Sequence, residues 1–268
     1  MLGAVLGDIV GSRFEWNNIK STNFDLLTPE CHITDDSVMT LAVAKAVYRV
    51  KRGQASREAL GEEAVHWMRA FGNRWARGCY GGRFAQWLKN EMPHPYGSFG
   101  NGSAMRVSAC AWAADSLEDA LDMARRVTEV THDHLEGIKG AESVTEALWL
   151  ARAGASKATI RNTLEQKYYA LDFTLDAIRP AYRFDVSCQG SVPQALCAFL
   201  ESSDYESALR NAVSLGGDSD TLAAMAGCVA EAAYGMPEYL RNEALTRLPQ
   251  ELQTVVREFE LYYPAPIV

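Results

Sequence analysis

Two short stretches gather oxygen donors where an apolar helix begins. Gly216-Gly217-Asp218-Ser219-Asp220-Thr221 sets two carboxylates and a threonine hydroxyl behind a glycine turn, and Thr34-Asp35-Asp36 repeats the pattern far upstream. A carboxylate near a helix N-terminus is favoured by the unpaired N–H groups and the backbone dipole, so either stretch alone also reads as a cap. A cap needs one side chain, and each stretch supplies three. Two such clusters entering an apolar interior would repel unless cations lay between them. Four carboxylates balance two divalent cations. Oxygen-only donors suit magnesium or manganese, whereas zinc would call for a Cys/His set.

Two further stretches bear on ligand binding. Ser98-Phe99-Gly100-Asn101-Gly102-Ser103-Ala104-Met105-Arg106 is a small-residue loop running into a helix, where exposed N–H groups could cradle a phosphate. It matches neither the P-loop nor the dinucleotide spacing, and an ordinary turn with Ser103 as N-cap is the plain alternative. Thr131-His132-Asp133-His134 has an i, i+2 histidine pair but no Cys/His cluster to complete a metal site. It reads as a turn between helices that presents a histidine to a ligand held elsewhere.

The elements that must hold these groups show helical periodicity nearly throughout. Leu2, Val5, Leu6, Ile9 and Val10 mark the first helix, and Gly3, Gly7 and Gly11 fall four apart along it. Each glycine weakens an isolated helix by about 1 kcal/mol relative to alanine, so this one requires a close neighbour. Residues 12–33, with Glu15, read as a polar loop. Helices are expected over 34–52, from Ser56 to Gly72, and over 103–114. A Ser116/Asp119 capping pair opens the next, to about Val130, followed by helices over 136–153, 157–169 and 192–202, the last with Pro193 in its first turn. Asp204 caps another, and the apolar helix after Thr221 runs to Gly235 before two amphipathic helices end the chain. Residues 73–102 form the longest irregular region. With no strand pairs and no repeat, the chain reads as an all-α domain over 1–268.

Composition narrows the function classes. At 268 residues and 48% hydrophobic content one substantial core is possible. The net charge of -8, from 26 Lys+Arg against 34 Asp+Glu, argues against a general nucleic-acid partner or an anionic membrane surface. Six cysteines without a CxxC pair suggest reduced thiols. The lack of a basic leader or of roughly 18 consecutive apolar residues points to the cytoplasm. Oligomeric state leaves no mark.

The set of motifs resembles the ADP-ribosylglycohydrolase family, the ADP-ribosylhydrolases related to dinitrogenase reductase-activating glycohydrolase. The similarity rests on Gly3-Ala4-Val5-Leu6-Gly7-Asp8 with Gly11, Thr34-Asp35-Asp36, Gly100 through Arg106, Thr131-His132, and Gly216 through Thr221, in the family's order. It implies a compact single-domain orthogonal helical bundle around a binuclear metal site, with two Mg2+ (or Mn2+) held by Thr34, Asp35, Asp36, Asp218, Asp220 and Thr221. It further implies a diphosphate on Gly100, Asn101, Gly102, Ser103 and Met105, a distal ribose near His132, and Glu15 on a mobile acidic loop.

The expected reaction is hydrolysis of the glycosidic bond between ADP-ribose and an acceptor, either an ADP-ribosylated protein side chain, arginine first among them, or a small ADP-ribosyl conjugate. Asp35 or Asp218 would serve as base and Glu15 in acid–base work. A two-metal phosphohydrolase and a non-catalytic ADP-ribose-binding module are the alternatives. The acceptor would be selected by residues 12–33 and 73–97, which carry no motif.

Overall fold

All ten residues of helix α1 (Leu2–Gly11) are buried, which requires other helices on every side of it. There follow α2 (Asp35–Lys51), α3 (Leu60–Gly72), α4 (Gly82–Lys89), α5 (Ser108–Ala113), α6 (Leu117–Glu129) and α7 (Leu135–Arg152). After α8 (Lys157–Lys167) and the single turn α9 (Leu175–Ile178) come α10 (Cys188–Leu200), α11 (Tyr205–Ser214), α12 (Ser219–Tyr234), α13 (Glu238–Thr246) and α14 (Gln250–Glu260). This computed structural model describes residues 1–268. Two isolated bridges, Gly100 with Ser187 and Met236 with Ile267, are its only β-pairing, so the fold is all-α.

The glycine stripe of α1 finds its close neighbour in α12. A Cβ built on Gly3 would fall 2.5 Å from the Gly227 carbonyl oxygen, one on Gly7 2.1 Å from that of Ala223, and one on Gly11 2.4 Å from the Asp220 Cα. As α1 ascends its partners descend, so the two helices run antiparallel with their backbones nearly touching. The C-terminal half of α1, with Asp8, therefore lies against the acidic N-terminus of α12. α7, α10 and α11 also pack on α12, while α2 packs on α1 and carries α3, α5 and α14. One cluster of 78 buried apolar residues runs from Met1 to Phe259.

Three local expectations change. The irregular stretch 73–102 contains α4, whose Phe84, Trp87 and Leu88 are buried; eight residues between Gly81 and Asn90 are too few to display a helical period. The 103–114 helix is divided into a 3-10 turn, Asn101–Ser103, and α5. α10 begins at Cys188, its Ser187 cap accepting from the Gly190 N–H, so Pro193 lies beyond the first turn. The early start follows from packing, because α10 presses on α7 so closely that a Cβ on Gly140 would be 2.5 Å from the Cys188 sulfur. The Ser116 hydroxyl caps at Asp119 as expected, and Asp204 forms a reciprocal capping box with Ser207. None of the six cysteines is paired, and no helix is long and apolar enough to cross a membrane.

Candidate active site

Capping does not account for the two acidic stretches. At α2 the cap is Thr34, whose Oγ1 accepts from the Asp36 N–H at 3.3 Å, leaving Asp35 and Asp36 in the first turn with their carboxylates free of that duty. At α12 the N-cap position is Asp218, and its side chain makes no capping bond. Instead Asp218 Oδ2 accepts from the Asn101 side-chain amide at 2.7 Å. The turn before it needs left-handed backbone at Gly216 (φ 65°) and Gly217 (φ 74°), which glycine adopts without the strain a Cβ would add.

The two stretches meet over the C-terminal half of α1. Asp8, Asp36 and Asp220 each offer an oxygen, all within 4.8 Å of one another, and a second such group is Glu15, Asp218 and Asp220. Asp220 belongs to both. Thr221 Oγ1 donates to Asp36 Oδ2 at 3.1 Å, yet Asp36 Oδ1 and Asp220 Oδ1 are buried with no partner. Buried carboxylate oxygens without donors are costly unless a proton or a cation satisfies them. The donor set is all oxygen, so the cluster fits a hard divalent cation.

Asp8 was passed over in the sequence, although it stands in the first motif. It is fully buried and accepts from the Thr34 N–H (2.9 Å), Thr34 Oγ1 (2.7 Å), the Ser37 N–H (3.0 Å) and the Ser37 hydroxyl. It thereby ties the start of α2 to α1 and occupies the Thr34 hydroxyl proton. A charged residue in an otherwise apolar helical run was the signal that could have found it.

Burial dominates the titration of these acids. It raises Asp8 against four hydrogen bonds, and raises Asp218 against donors that include Asn101. Burial and then neighbouring carboxylates hold Asp35, Asp36 and Asp220 well above the usual carboxylate range. Glu15 is pushed up to about 7 by burial, then by Asp218 and Asp8.

Glu15 is delivered by the loop after α1, and Asn18 anchors that loop. The Asn18 amide donates to the carbonyls of Phe14 (2.6 Å), Glu15 (2.9 Å) and Gly217 (3.0 Å), while its oxygen accepts from the Gly217 N–H at 2.7 Å. The Asn18 side chain thus satisfies backbone groups of both the loop and the glycine turn. Beside Glu15, exposed Trp16 stacks on Phe184 with ring centroids 5.2 Å apart.

A cavity of about 500 Å³ joins this acidic end to the glycine loop. Of the residues singled out in the sequence, Glu15, Asp35, Asp36, Gly100, Asn101, Gly102, Met105, His132, Asp218, Asp220 and Thr221 line it; Thr34 and Ser103 do not. The Ser103 hydroxyl is turned into the protein, with the carbonyls of Gly137 (2.8 Å) and Gly100 (3.0 Å) as acceptors for its one proton. The histidine pair diverges. His132 is buried against the cavity, whereas His134 is exposed and caps α7, accepting from the Glu136 N–H at 3.1 Å. Arg83, Tyr96 and Arg106 also line the pocket. Arg83 lies over Tyr96, 4.8 Å from the ring centroid, and both come from the stretch that shows no period.

Comparison with known proteins identifies the family and the fold. The ADP-ribosylglycohydrolase family model matches residues 1–264. The ADP-ribosylhydrolase ARH3 of Homo sapiens is 26% identical over 89% of this chain and 85% of its own length. The ADP-ribosyl-[dinitrogen reductase] glycohydrolase of Rhodospirillum rubrum is 25% identical, covering 84% and 76%, and the ADP-ribosylarginine hydrolase Tri1 of Pseudomonas putida (strain GB-1) is 25% identical, covering 94% and 76%. A solved structure, an ADP-ribosylglycohydrolase-related protein complex, has the same fold at a TM-score of 0.67 and 24% identity, with 98% of this chain and 97% of that one matched. The chain therefore belongs to the ADP-ribosylglycohydrolase family, hydrolases that act on glycosidic bonds.

Proposed function

We propose that this protein uses two Mg2+ ions, with Mn2+ as a substitute, to hydrolyse the bond between the distal ribose of ADP-ribose and an acceptor. The acceptor is an arginine side chain of a modified protein or a small ADP-ribosyl conjugate. The observation that carries this reading is one cavity with opposite chemistry at its ends, unpartnered carboxylate oxygens at one and a glycine turn with Arg83, Arg106 and His132 at the other. A molecule with a vicinal diol separated from a diphosphate matches that polarity.

Asp36, Asp218, Asp220 and Thr221 would hold the ions, with Asp35 on the cavity side and Thr34 fixing the start of α2. Bound there, a divalent pair offsets the carboxylate charge, polarises the ribose hydroxyls and acidifies a nearby water. The remaining work falls to side chains. Asn101 holds Asp218 in orientation through their 2.7 Å hydrogen bond. Asp218 or Asp35 takes a proton from the attacking water as its oxygen bonds to the anomeric carbon. Glu15, whose pKa burial raises, suits delivery of a proton to the departing nitrogen or oxygen as the old glycosidic bond breaks. Gly100, Asn101, Gly102 and Met105 form the cavity side of the diphosphate turn, Ser103 braces that turn from within the protein through the Gly137 carbonyl, and His132 stands by the sugar.

The test is product analysis on a panel of ADP-ribosyl linkages with and without magnesium. Free ADP-ribose with its diphosphate intact, formed only with the metal, is expected. AMP or phosphate as product would replace this reading with a two-metal phosphohydrolase. Binding without turnover of any linkage would make the protein a binding module.

A further inference from the structure

Arg106 is a buried cation without an anion. Its side chain is among the largest fully buried ones, at 1% exposure. No carboxylate pairs with it; Nη2 donates to Thr131 Oγ1 at 2.7 Å and to the Val127 carbonyl at 3.2 Å, while Nε has no partner. Burial lowers its pKa only to about 10, so it stays protonated at neutral pH. A guanidinium can donate but never accept.

That asymmetry passes along a short chain. Thr131 Oγ1 lies 2.7 Å from His132 Nδ1 and already accepts from Arg106. A hydroxyl has one proton to give, and its only other acceptor is the Thr128 carbonyl at 3.4 Å, too long to compete. The proton is therefore directed to Nδ1. Burial, then Arg106 and Arg83, hold the His132 pKa well below the usual histidine range, so the ring is neutral. A neutral imidazole that accepts at Nδ1 carries its proton at Nε2. Nε2 has no protein partner and faces the glycine turn, 3.4 Å from where a Cβ would stand on Gly102 and 3.6 Å from one on Gly100.

We propose that Arg106 and Thr131 are positioning residues that lock His132 in the Nε2–H tautomer, so that a neutral ring donates a hydrogen bond to a sugar or phosphate oxygen of the ligand held by the Gly100–Ser103 turn. This rests on the ADP-ribose reading of the cavity. The opposite tautomer would set a nitrogen lone pair against any phosphate oxygen, which can only accept, and would demand the proton of a ribose hydroxyl instead. Histidine thus serves here as a fixed donor with no proton of its own to exchange near neutrality.

The proposal is tested with Thr131→Val, which removes the hydroxyl while keeping the branched shape, and Thr131→Ser, which restores it. Heteronuclear NMR of the imidazole nitrogens in the ligand-free protein reads the tautomer directly, and calorimetry reads ADP-ribose affinity. The expected result is a single Nε2–H species in the parent protein and in Thr131→Ser. Thr131→Val should show a mixture of tautomers and bind ADP-ribose roughly tenfold more weakly, the scale of one oriented hydrogen bond. A parent protein with Nδ1–H, or a Thr131→Val protein with unchanged tautomer and affinity, would overturn it. If Thr131→Val does not fold, the parent spectrum alone still decides. Nε2–H in a parent protein that binds no ADP-ribose would overturn the ligand assignment while upholding the tautomer.

Discussion

The two ends of the cavity are buried to a similar depth and respond in opposite directions. At the α1–α2–α12 end, burial raises every carboxylate, most strongly at Asp35, Asp36 and Asp220. At the glycine-turn end, burial lowers Arg106 and His132. In both places the low dielectric disfavours charge, and each end keeps polar atoms that the protein itself does not satisfy: carboxylate oxygens on one side, guanidinium and imidazole N–H groups on the other. A site whose two halves are unsatisfied with opposite sign is preorganised for a ligand assembly that brings cations to one and an anion to the other.

The comparison breaks most completely at Asp218 and Asp220. Asp218→Asn with Asp220→Asn should abolish divalent-dependent release of ADP-ribose. It should leave the helical circular dichroism unchanged, since removing mutually repelling buried charges does not cost the fold. Release that persists at the parental rate would mean that the acidic end is not where the reaction occurs. Glu15→Gln follows, with a loss of about a hundredfold or more in kcat, the usual scale for a general acid or base. With Glu15 as the proton donor, the parental rate falls as pH rises through its pKa, which burial holds above the ordinary glutamate value. The variant should lose this limb, and a pH–rate profile of unchanged shape would remove Glu15 from the proton inventory.

Stability without cations gives a third handle. These carboxyls hold their protons more tightly folded than unfolded, where values near 3.8 for aspartate and 4.5 for glutamate apply. From those values up to the raised ones the native state binds more protons, so stability falls as pH rises through that window. Thermal unfolding of the metal-free protein should therefore occur at a lower temperature above about pH 7, where Glu15 has lost its proton, than just above the unfolded value of 4.5. Mg2+ at a hundred times its Kd should restore about 2.7 kcal/mol. A metal-free protein that gains stability with pH would contradict the raised carboxyls, and one that is indifferent to Mg2+ would contradict a cation site among them.

How much of this was legible in the chain depends on whether a residue's role is local. Thr34-Asp35-Asp36 and Gly216 through Thr221 are recognisable because three donors at one helix start exceed what a cap uses. The four-residue spacing of Gly3, Gly7 and Gly11 likewise announces a backbone approach, and α12 supplies it. Roles that depend on distant partners left no such trace. Asn18 works only because Gly217, 199 residues away, lies against it, and nothing in the string Asn17-Asn18 distinguishes that arrangement from an ordinary polar loop. Arg106 stands among small residues with no pattern to indicate a fully buried guanidinium. α4 was missed because it is short, and with it Arg83 was left outside the cavity that it lines.

The smallest expected effect concerns the contact that joins the two ends. Asn101 belongs to the glycine turn by sequence, yet its amide donates to Asp218 at 2.7 Å. Its backbone N–H is meanwhile engaged by the Val186 carbonyl, also at 2.7 Å. Asn101→Ala removes the first bond and retains the second, so the turn should keep its shape while Asp218 loses its orienting donor. Groups that orient a metal ligand typically contribute 10–100-fold in metal affinity, and the lower figure suits a side chain supporting one carboxylate of several. Mg2+ affinity should therefore fall about tenfold, with ADP-ribose binding to the metal-free protein changed less. A double-mutant cycle with Asp218→Asn isolates the coupling. If the two losses simply add, the ends act independently; a shortfall from additivity means the phosphate turn sets the geometry of the acidic end through this one side chain.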